Sequence, residues 1–158
     1  MKKYILSVLV KNNSGVLARV SSLFGRRGYN IDSLTVSATT DPKISRMSIV
    51  VTGDAPILEQ IIKQVSKLEE VLWIEHLQEH DSYCRELVFV KLLAETGDVR
   101  DAIRQLSELY GARIVESTGS AIIVELTEVP SRIDAFLDVV SNFEVLEMCR
   151  SGVTAILK

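Results

Sequence analysis

One pattern of elements occurs twice along the 158 residues of this chain. In each half, an apolar run typical of a strand leads through a glycine-containing turn into a helix with one apolar face. Two more strands, a second helix and a last strand follow in both halves. Gly15 and Gly28 of the first half correspond in this pattern to Gly97 and Gly111 of the second. Such a repeat indicates one supersecondary unit of about 75 residues that is built twice.

The spacing of apolar residues predicts the order β-α-β-β-α-β in each unit. Residues 33–39 alternate between polar and apolar side chains, which is typical of a strand with one face in water. We therefore predict an α+β fold of two tandem ferredoxin-like βαββαβ units, each an antiparallel sheet with two helices on one face. The boundary falls in the polar stretch 79–83, which divides the chain into domains 1–79 and 80–158. Units this small bury a modest share of their surface, so we expect association through an open sheet face or a sheet edge.

Composition places the chain among ordinary globular proteins, with 47% hydrophobic and 25% charged residues. A net charge of −3 argues against broad binding to nucleic acid or to an anionic membrane. No apolar run is long enough to span a bilayer, and the N-terminal run ends at Lys11 without a signal-peptide cleavage site. Cys84 and Cys149 are far apart in the sequence, which favours reduced thiols. We expect a cytoplasmic protein with no membrane partner and no nucleic-acid partner.

A pair of histidines, His76 and His80, matches the H-x-x-E-H pattern of some zinc proteases. Two histidines four residues apart can share a metal only on a helix. This pair follows an apolar run that predicts a strand, and in an extended chain the two positions lie roughly 13 Å apart. We therefore predict solvated linker histidines and no metal site. No nucleophile motif or phosphate-binding loop is present, so we expect no catalytic residue and no enzymatic activity of the chain's own.

The turn before the first helix allows two interpretations. Asn13 or Ser14 can cap the helix through its side chain, with Gly15 easing the bend between strand and helix. Alternatively, the first N–H groups of the helix stay unpartnered and bind a carboxylate, while Asn12 and Asn30 offer amide oxygens to an ammonium group. The second interpretation describes a site for a free amino acid.

Longer stretches of the sequence resemble a known family. The segments ILSVLVKNNSGVLARVSSLFGRRGYNIDSLTV and DPKISRMSIVV are similar to the regulatory (small) subunit of acetohydroxyacid synthase, also called acetolactate synthase. The similarity continues through LVFVKL, IDAFLDVV and RSGVTAI and so covers essentially the whole chain. The Asn-x-Ser-Gly-Val-Leu turn is shared by ACT domains generally, whereas RRGYNI-x-SLTV is more specific to this family. By this resemblance, the first unit is identified as an ACT domain and the second as an ACT-like domain.

The resemblance implies a non-catalytic protein. Members of the family bind a large catalytic subunit that carries thiamine diphosphate, Mg²⁺ and FAD, raise its activity and confer feedback inhibition, usually by valine. In the family, valine lies between two ACT domains of a homodimer, with the first turn from one chain and the start of the second strand from the other. Carried over by position, the implied valine-binding residues are Asn12, Gly15, Val16 and Leu17, facing Asn30 and Ile31. We thus expect no cofactor in this chain and, as partners, the large subunit, a second copy of the chain and a branched-chain amino acid.

A second function stays open, namely a tandem-ACT protein that senses an amino acid but controls transcription or another enzyme. It would have the same ligand site and a different partner. The turn of the second unit places Glu95 and Asp98 at the helix start, where their carboxylates would repel a ligand carboxylate. We therefore expect the second unit to be a structural and partner-binding copy.

Overall fold

Both halves of the chain fold into the predicted βαββαβ unit in the computed structural model, which describes all 158 residues. The first half contains β1 (Lys2–Lys11), α1 (Val16–Arg26), β2 (Ile31–Ala38), β3 (Ile44–Gly53), α2 (Ala55–Val65) and β4 (Val71–Leu77). The second half contains β5 (Ser82–Leu93), α3 (Gly97–Tyr110), β6 (Arg113–Ser117), β7 (Ala121–Glu128), α4 (Pro130–Val140) and β8 (Val145–Leu157). The α+β class and the repetition of one unit are therefore confirmed.

Each unit has one four-stranded sheet whose described pairs are antiparallel. The strand order is β2-β3-β1-β4 in the first unit and β6-β7-β5-β8 in the second, so β2 and β4 are the edges of the first sheet. Along β3, Ile44 pairs with Lys11 of β1, and Val51 pairs with Ile31 of β2. The end of β1 and the start of β2 consequently lie beside opposite ends of β3.

One face of each sheet packs against two helices because apolar residues alternate along the inner strands. In the first unit the core contains Leu6, Val8 and Val10 of β1, Met47, Ile49 and Val51 of β3, Val16, Val20 and Phe24 of α1, and Leu58, Ile61 and Val65 of α2. The core of the second unit contains the matching residues Val88, Val90, Leu92, Ile103, Leu106, Ile122, Val124, Leu126, Ile133, Phe136 and Val140. Each fully buried side chain of this kind contributes about 1.5–3 kcal/mol. The helices are thereby fixed over their sheets.

The first helix of each unit ends at a glycine, as the sequence predicts. Gly28 has a φ of +71°, and the N–H group of Tyr29 donates to the carbonyl of Phe24 at 3.0 Å. Gly111 ends α3 with a φ of +69°. This left-handed conformation lets the chain turn back and satisfy the last carbonyls of the helix.

No helix in the structure has both the length and the apolar character that a membrane span requires.

The chain divides into two compact units, one of Met1–Cys84 with Val153–Lys158 and one of Arg85–Gly152. This grouping extends the first unit beyond the predicted limit at residue 79. The end of the chain joins the first unit because a small apolar cluster forms on the outer face of its sheet, opposite the helices. The buried members of that cluster are Val50, Leu77, Val153 and Ala155.

The outer face of the second sheet carries apolar side chains around an open groove of about 380 Å³. Phe89, Val115 and Met148 are exposed there, next to Ile123. The two sheets therefore differ on this face, since the first sheet is covered by the last residues of the chain.

A charged cluster joins β8 to β5 and α4 in the second unit. The carboxylate of Glu86, which is only 5% exposed, accepts hydrogen bonds from Nε and Nη2 of Arg150 at 2.8 and 2.6 Å. Nη1 of Arg150 donates to Asp134 at 2.9 Å. These bonds raise the pKa of the Arg150 guanidinium above its usual value, so the group stays charged. The buried carboxylate of Glu86 thus has its counter-charge in direct contact.

Candidate effector-binding site

The turn between β1 and α1 forms a helix start that no side chain caps. Gly15 is the N-cap residue and adopts a left-handed conformation with a φ of +84°. Residues with a Cβ rarely adopt this conformation, so the position favours glycine. No side-chain cap is present, and the interpretation in which Asn13 or Ser14 caps the helix is therefore wrong.

Two N–H groups at the start of α1, those of Leu17 and Ala18, donate to no acceptor within the protein. The N–H group of Val16 makes only a long bond of 3.4 Å to the carbonyl of Asn13. No acidic residue lies in the first turn of α1, so the helix itself contributes no negative charge at the positive end of its dipole. A helix start of this kind can bind a carboxylate.

The corresponding helix of the second unit begins differently. The side-chain oxygen of Thr96 accepts a hydrogen bond from the N–H group of Val99 at 3.4 Å. Asp98 lies in the first turn of α3, where its negative charge offsets the helix dipole. The βαββαβ fold thus accommodates a capped helix at this place, and the open start of α1 is a property of the first unit alone.

Asn12 is held in place by the turn between β2 and β3. Its N–H group donates to the carbonyl of Lys43 at 2.7 Å, and its side-chain Nδ2 donates to the carbonyl of Pro42 at 2.9 Å. Because the side-chain amide nitrogen is engaged, the side-chain oxygen Oδ1 is the atom that can accept a hydrogen bond from a ligand. An ammonium group is a suitable donor for it.

Asn30 and Ile31 lie at the start of β2. Nδ2 of Asn30 donates to Oδ1 of Asp32 at 3.1 Å, and the Thr52 hydroxyl donates a hydrogen bond to Oδ2 of Asp32 at 2.6 Å. The oxygen of the Asn30 side chain is again left as a possible acceptor. Ile31 is half-buried and packs against the core of the first unit.

Two implied site residues in α1 differ in what they can offer to a ligand. The side chain of Val16 is 3% exposed and belongs to the core, so only its backbone can take part in a surface site. The side chain of Leu17 is 44% exposed and can contact a ligand directly. The helix start therefore combines backbone donors with one accessible apolar side chain.

The structure separates the six implied site residues into two groups. The turn group consists of Asn12, Gly15, Val16 and Leu17, and the strand group consists of Asn30 and Ile31. The turn group follows Lys11, which pairs with Ile44, whereas Ile31 pairs with Val51. These two positions of β3 are seven residues apart, which corresponds to roughly 24 Å in a strand. A single chain therefore does not bring the two groups together around one amino acid.

Contacts from distant parts of the chain support the turn group, and sequence reasoning missed them. The N–H group of Lys11 donates to the carbonyl of Glu70 at 2.9 Å, and the side chain of Glu70 forms an ion pair with Arg19 of α1. Pro42 and Lys43 hold Asn12 from the other side. These residues carry no local signal of their role, because only the order of strands in the sheet places them beside the turn.

The prediction of solvated linker histidines is wrong for His76. β4 extends to Leu77, so His76 lies within a strand, and its ring packs edge-on against Tyr4 with 5.2 Å between ring centroids. Burial lowers the pKa of the His76 imidazole, Lys2 lowers it further, and Asp81 acts in the opposite direction. No cluster of three or more His, Cys, Asp or Glu side chains that could hold a metal is present in the structure.

Comparisons with known proteins agree with the fold and with the resemblance. Residues 6–73 match a family model described as the AHAS small subunit-like ACT domain, and residues 85–158 match one described as the small subunit of acetolactate synthase. The chain is 42% identical over 153 residues to the acetolactate synthase isozyme 3 small subunit of Escherichia coli, covering 96% of this chain and 93% of that protein. It is 41% identical over 153 residues to the acetolactate synthase small subunit of Haemophilus influenzae, with the same coverage.

A solved structure extends this similarity to three dimensions. The crystal structure of the acetolactate synthase small subunit from Thermotoga maritima aligns with a TM-score of 0.89 and 32% sequence identity. The alignment covers 100% of this chain and 98% of that chain. Sequence families, relatives along nearly the full length and a solved structure thus lead to the same conclusion. The chain belongs to the family of small, regulatory subunits of acetolactate synthase.

Proposed function

We propose that this chain activates the thiamine-diphosphate-dependent large subunit of acetolactate synthase and makes it subject to feedback inhibition by valine. The observation that carries the valine site is the uncapped start of α1, where the N–H groups of Leu17 and Ala18 donate to no acceptor within the protein. The same turn contains Asn12, whose side-chain nitrogen is engaged and whose side-chain oxygen accepts no hydrogen bond from the protein. Thiamine diphosphate, Mg²⁺ and FAD belong to the large subunit in this proposal. The chain acts in the cytoplasm and contributes regulation rather than a catalytic residue to branched-chain amino acid biosynthesis.

The proposed site matches the charged groups of a free amino acid. The ligand carboxylate accepts hydrogen bonds from the N–H groups at the start of α1, where the helix dipole favours negative charge. The ligand ammonium donates to the side-chain oxygens of Asn12 and Asn30, whose nitrogens are already engaged. The isopropyl group packs against apolar side chains such as Leu17 and Ile31, which are accessible at the two parts of the site.

Two copies of the chain complete this site. β2 is an edge strand, so its outer backbone groups are open to another strand. If the β2 strands of two copies pair antiparallel, the start of one lies beside the end of the other. Ala38, at the end of β2, pairs with Ser45, which also pairs with Val10 of β1, two residues before Asn12. An antiparallel pair of β2 strands therefore brings Asn30 of one copy to the end of the sheet that carries the partner's Asn12.

A ligand between two copies can regulate because it binds one geometry of the dimer better than another. Binding then shifts the population towards that geometry. The free energy of this shift cannot exceed the difference between the ligand's binding free energies to the two geometries. The large subunit responds if it prefers one of the two geometries. The proposal therefore requires that valine and the large subunit each change the binding of the other.

Calorimetric titration of the full chain with valine tests the ligand site. Asn12→Ala removes an acceptor for the ammonium group, and a hydrogen bond to a charged group contributes about 1.5–3 kcal/mol. We expect binding that is roughly 10- to 100-fold weaker. Asn13→Ala is the matched control, since Asn13 is exposed and only its backbone groups form hydrogen bonds. If Asn12→Ala binds valine as tightly as the native chain does, the assignment of this residue is wrong.

Reconstitution with a purified large subunit tests the regulatory role. We expect acetolactate formation to rise when the chain is added, and to fall again when valine is added at concentrations that saturate the chain. An unchanged rate at saturating ratios of the two subunits would contradict activation. Valine binding without any effect on the large subunit would instead favour a tandem-ACT protein that controls another enzyme or transcription.

A further inference from the structure

The last residues of the chain form an extended segment on the outer face of the first sheet. We call residues 153–158 the C-terminal segment. Val153 is 5% exposed and Ala155 is 1% exposed, and both pack in the apolar cluster with Val50 and Leu77. At its end, the N–H group of Lys158 donates to the carbonyl of Asp81 at 2.9 Å. The C-terminal segment is thus a packed part of the first unit.

Two hydroxyl groups of β2 bind both backbone groups of Val153. The N–H group of Val153 donates to Oγ of Ser33 at 3.1 Å, and Oγ1 of Thr35 donates to the carbonyl of Val153 at 2.8 Å. Ser33 and Thr35 are two residues apart and therefore point to the same face of the strand. The polar face predicted for β2 is used here as a clamp on one residue of the C-terminal segment.

The backbone has a conformation that is unusual for a strand immediately before this clamp. Gly152 has a φ of +80°, a left-handed conformation within β8 that glycine adopts without strain. It is also the last residue of the second compact unit, and Val153 is the first residue of the segment that joins the first unit. The hydroxyl groups of Ser33 and Thr35 therefore act at the point where the chain passes from one unit to the other.

The same strand carries the strand group of the proposed effector site. Asn30 and Ile31 lie at the start of β2, and Asn30 is linked through Asp32 to Thr52 of β3. The pairing of β2 with β3 is irregular between Ile31 and Ser33, so this part of β2 departs from a regular ladder. A ligand that binds Asn30 and Ile31 holds a strand segment that ends directly at the clamp.

We infer that Ser33 and Thr35 couple effector binding to the C-terminal segment, so that an occupied effector site holds the segment more tightly on the first sheet. This inference rests on the proposed function, because it takes valine as the effector at β2. Ser33 and Thr35 are positioning residues in this role and do not touch the ligand. They set how strongly binding at β2 affects the chain beyond Gly152.

Linkage makes this inference quantitative. If valine reduces opening of the C-terminal segment by some factor, permanent opening of the segment must weaken valine binding by the same factor. Couplings between sites in proteins amount to about 5- to 150-fold. We therefore expect at least about fivefold slower amide exchange in the C-terminal segment at saturating valine. The amide of Val153 is a direct reporter, since its hydrogen is bonded to Ser33.

Hydrogen exchange of the full native chain, with and without valine, is the first measurement, and calorimetric titration with valine is the second. Thr35→Val keeps the shape of the side chain and removes the donor, and Ser33→Ala removes the acceptor. We expect the double variant to exchange faster at residues 153–158 and to bind valine more weakly, by no more than the factor measured in the native chain. Ser37→Ala is the matched control, because Ser37 lies on the same face of β2, is exposed and forms no side-chain hydrogen bond in the structure.

The outcomes separate this inference from the proposed function. Valine binding to the native chain with unchanged exchange at residues 153–158 overturns the coupling and leaves the effector site intact. No valine binding to the native chain overturns the proposed effector and the coupling together. Equal loss of valine affinity in Ser37→Ala and in Thr35→Val overturns the specific role of the clamp. The coupling is supported if valine slows exchange at residues 153–158 in the native chain and slows it less in the single variant Thr35→Val. This comparison remains valid even if the double variant does not fold.

Discussion

Replacement of Gly15 by alanine should destabilise the first unit through the backbone alone. A Cβ at this position meets no atom within 4 Å, so no steric contact with a neighbouring residue contributes. The cost comes from the φ of +84°, because a left-handed conformation costs an L residue roughly 1–2 kcal/mol. For a urea dependence of about 1.5 kcal/mol per M, the midpoint of unfolding should fall by roughly 1 M.

Trp73 provides the assay for this prediction. It is the only tryptophan of the chain and lies in β4, so its fluorescence follows unfolding of the first unit. Gly97→Ala is the matched control at the corresponding turn of the second unit. A Cβ there also meets no atom within 4 Å, but Gly97 has no positive φ. We expect Gly97→Ala to be neutral or to stabilise by up to about 1 kcal/mol, measured by circular dichroism.

Comparison of the two glycine variants decides whether backbone strain is the cause. Equal destabilisation by Gly15→Ala and Gly97→Ala would refute the argument, since both positions have room for the added methyl group. An unchanged midpoint for Gly15→Ala would refute it as well. It would mean that the turn relaxes to a conformation that alanine tolerates, and that the open helix start does not depend on glycine.

Two further predictions concern charged groups. Arg150→Met leaves the buried carboxylate of Glu86 without its partner and should cost about 3–5 kcal/mol in thermal or urea unfolding. Arg113→Met, which removes an ion pair whose arginine is 73% exposed, should cost less than about 1 kcal/mol. For His76, burial and Lys2 lower the pKa in the folded state, so the unfolded state binds a proton first and stability must fall as the pH drops below about 6.5. Between pH 7.5 and 5.5, the urea midpoint of the native chain should fall more than that of His76→Gln; an equal fall in both would contradict this.

The elements of this fold can be predicted from the sequence because each one is amphipathic with its own period. Apolar residues three or four apart predict the helices, and alternation predicts the strands, since both patterns reflect which face is buried. Gly28 and Gly111 end their helices as expected, because a left-handed turn after a helix is a local requirement. Local chemistry is sufficient for these features.

The details of the candidate site depend on contacts between residues that are far apart in the sequence, which local sequence patterns do not predict. Asn13 and Ser14 are both common capping residues, yet neither caps α1, because the conformation of Gly15 and the bonds of Asn12 to the neighbouring turn set how the chain enters the helix. The clamp on Val153 is equally hidden, since it joins residues more than a hundred positions apart. The sequence pattern predicted the polar face of β2 but not what it binds.

The difference between the two helix starts shows how the proposed effector could act as a signal, because the fold itself does not require an open helix start. The side chain of Thr96 accepts one N–H group in the first turn of α3, and a side-chain cap typically contributes about 1 kcal/mol. In the proposed function, α1 gains a comparable contribution only when an effector supplies acceptors for its first N–H groups. A ligand present at 100 times its dissociation constant stabilises the form that binds it by about 2.7 kcal/mol. If the proposed effector site is shared by two copies of the chain, its occupancy makes the favoured state of the dimer depend on the concentration of an amino acid, which is the property that feedback control requires.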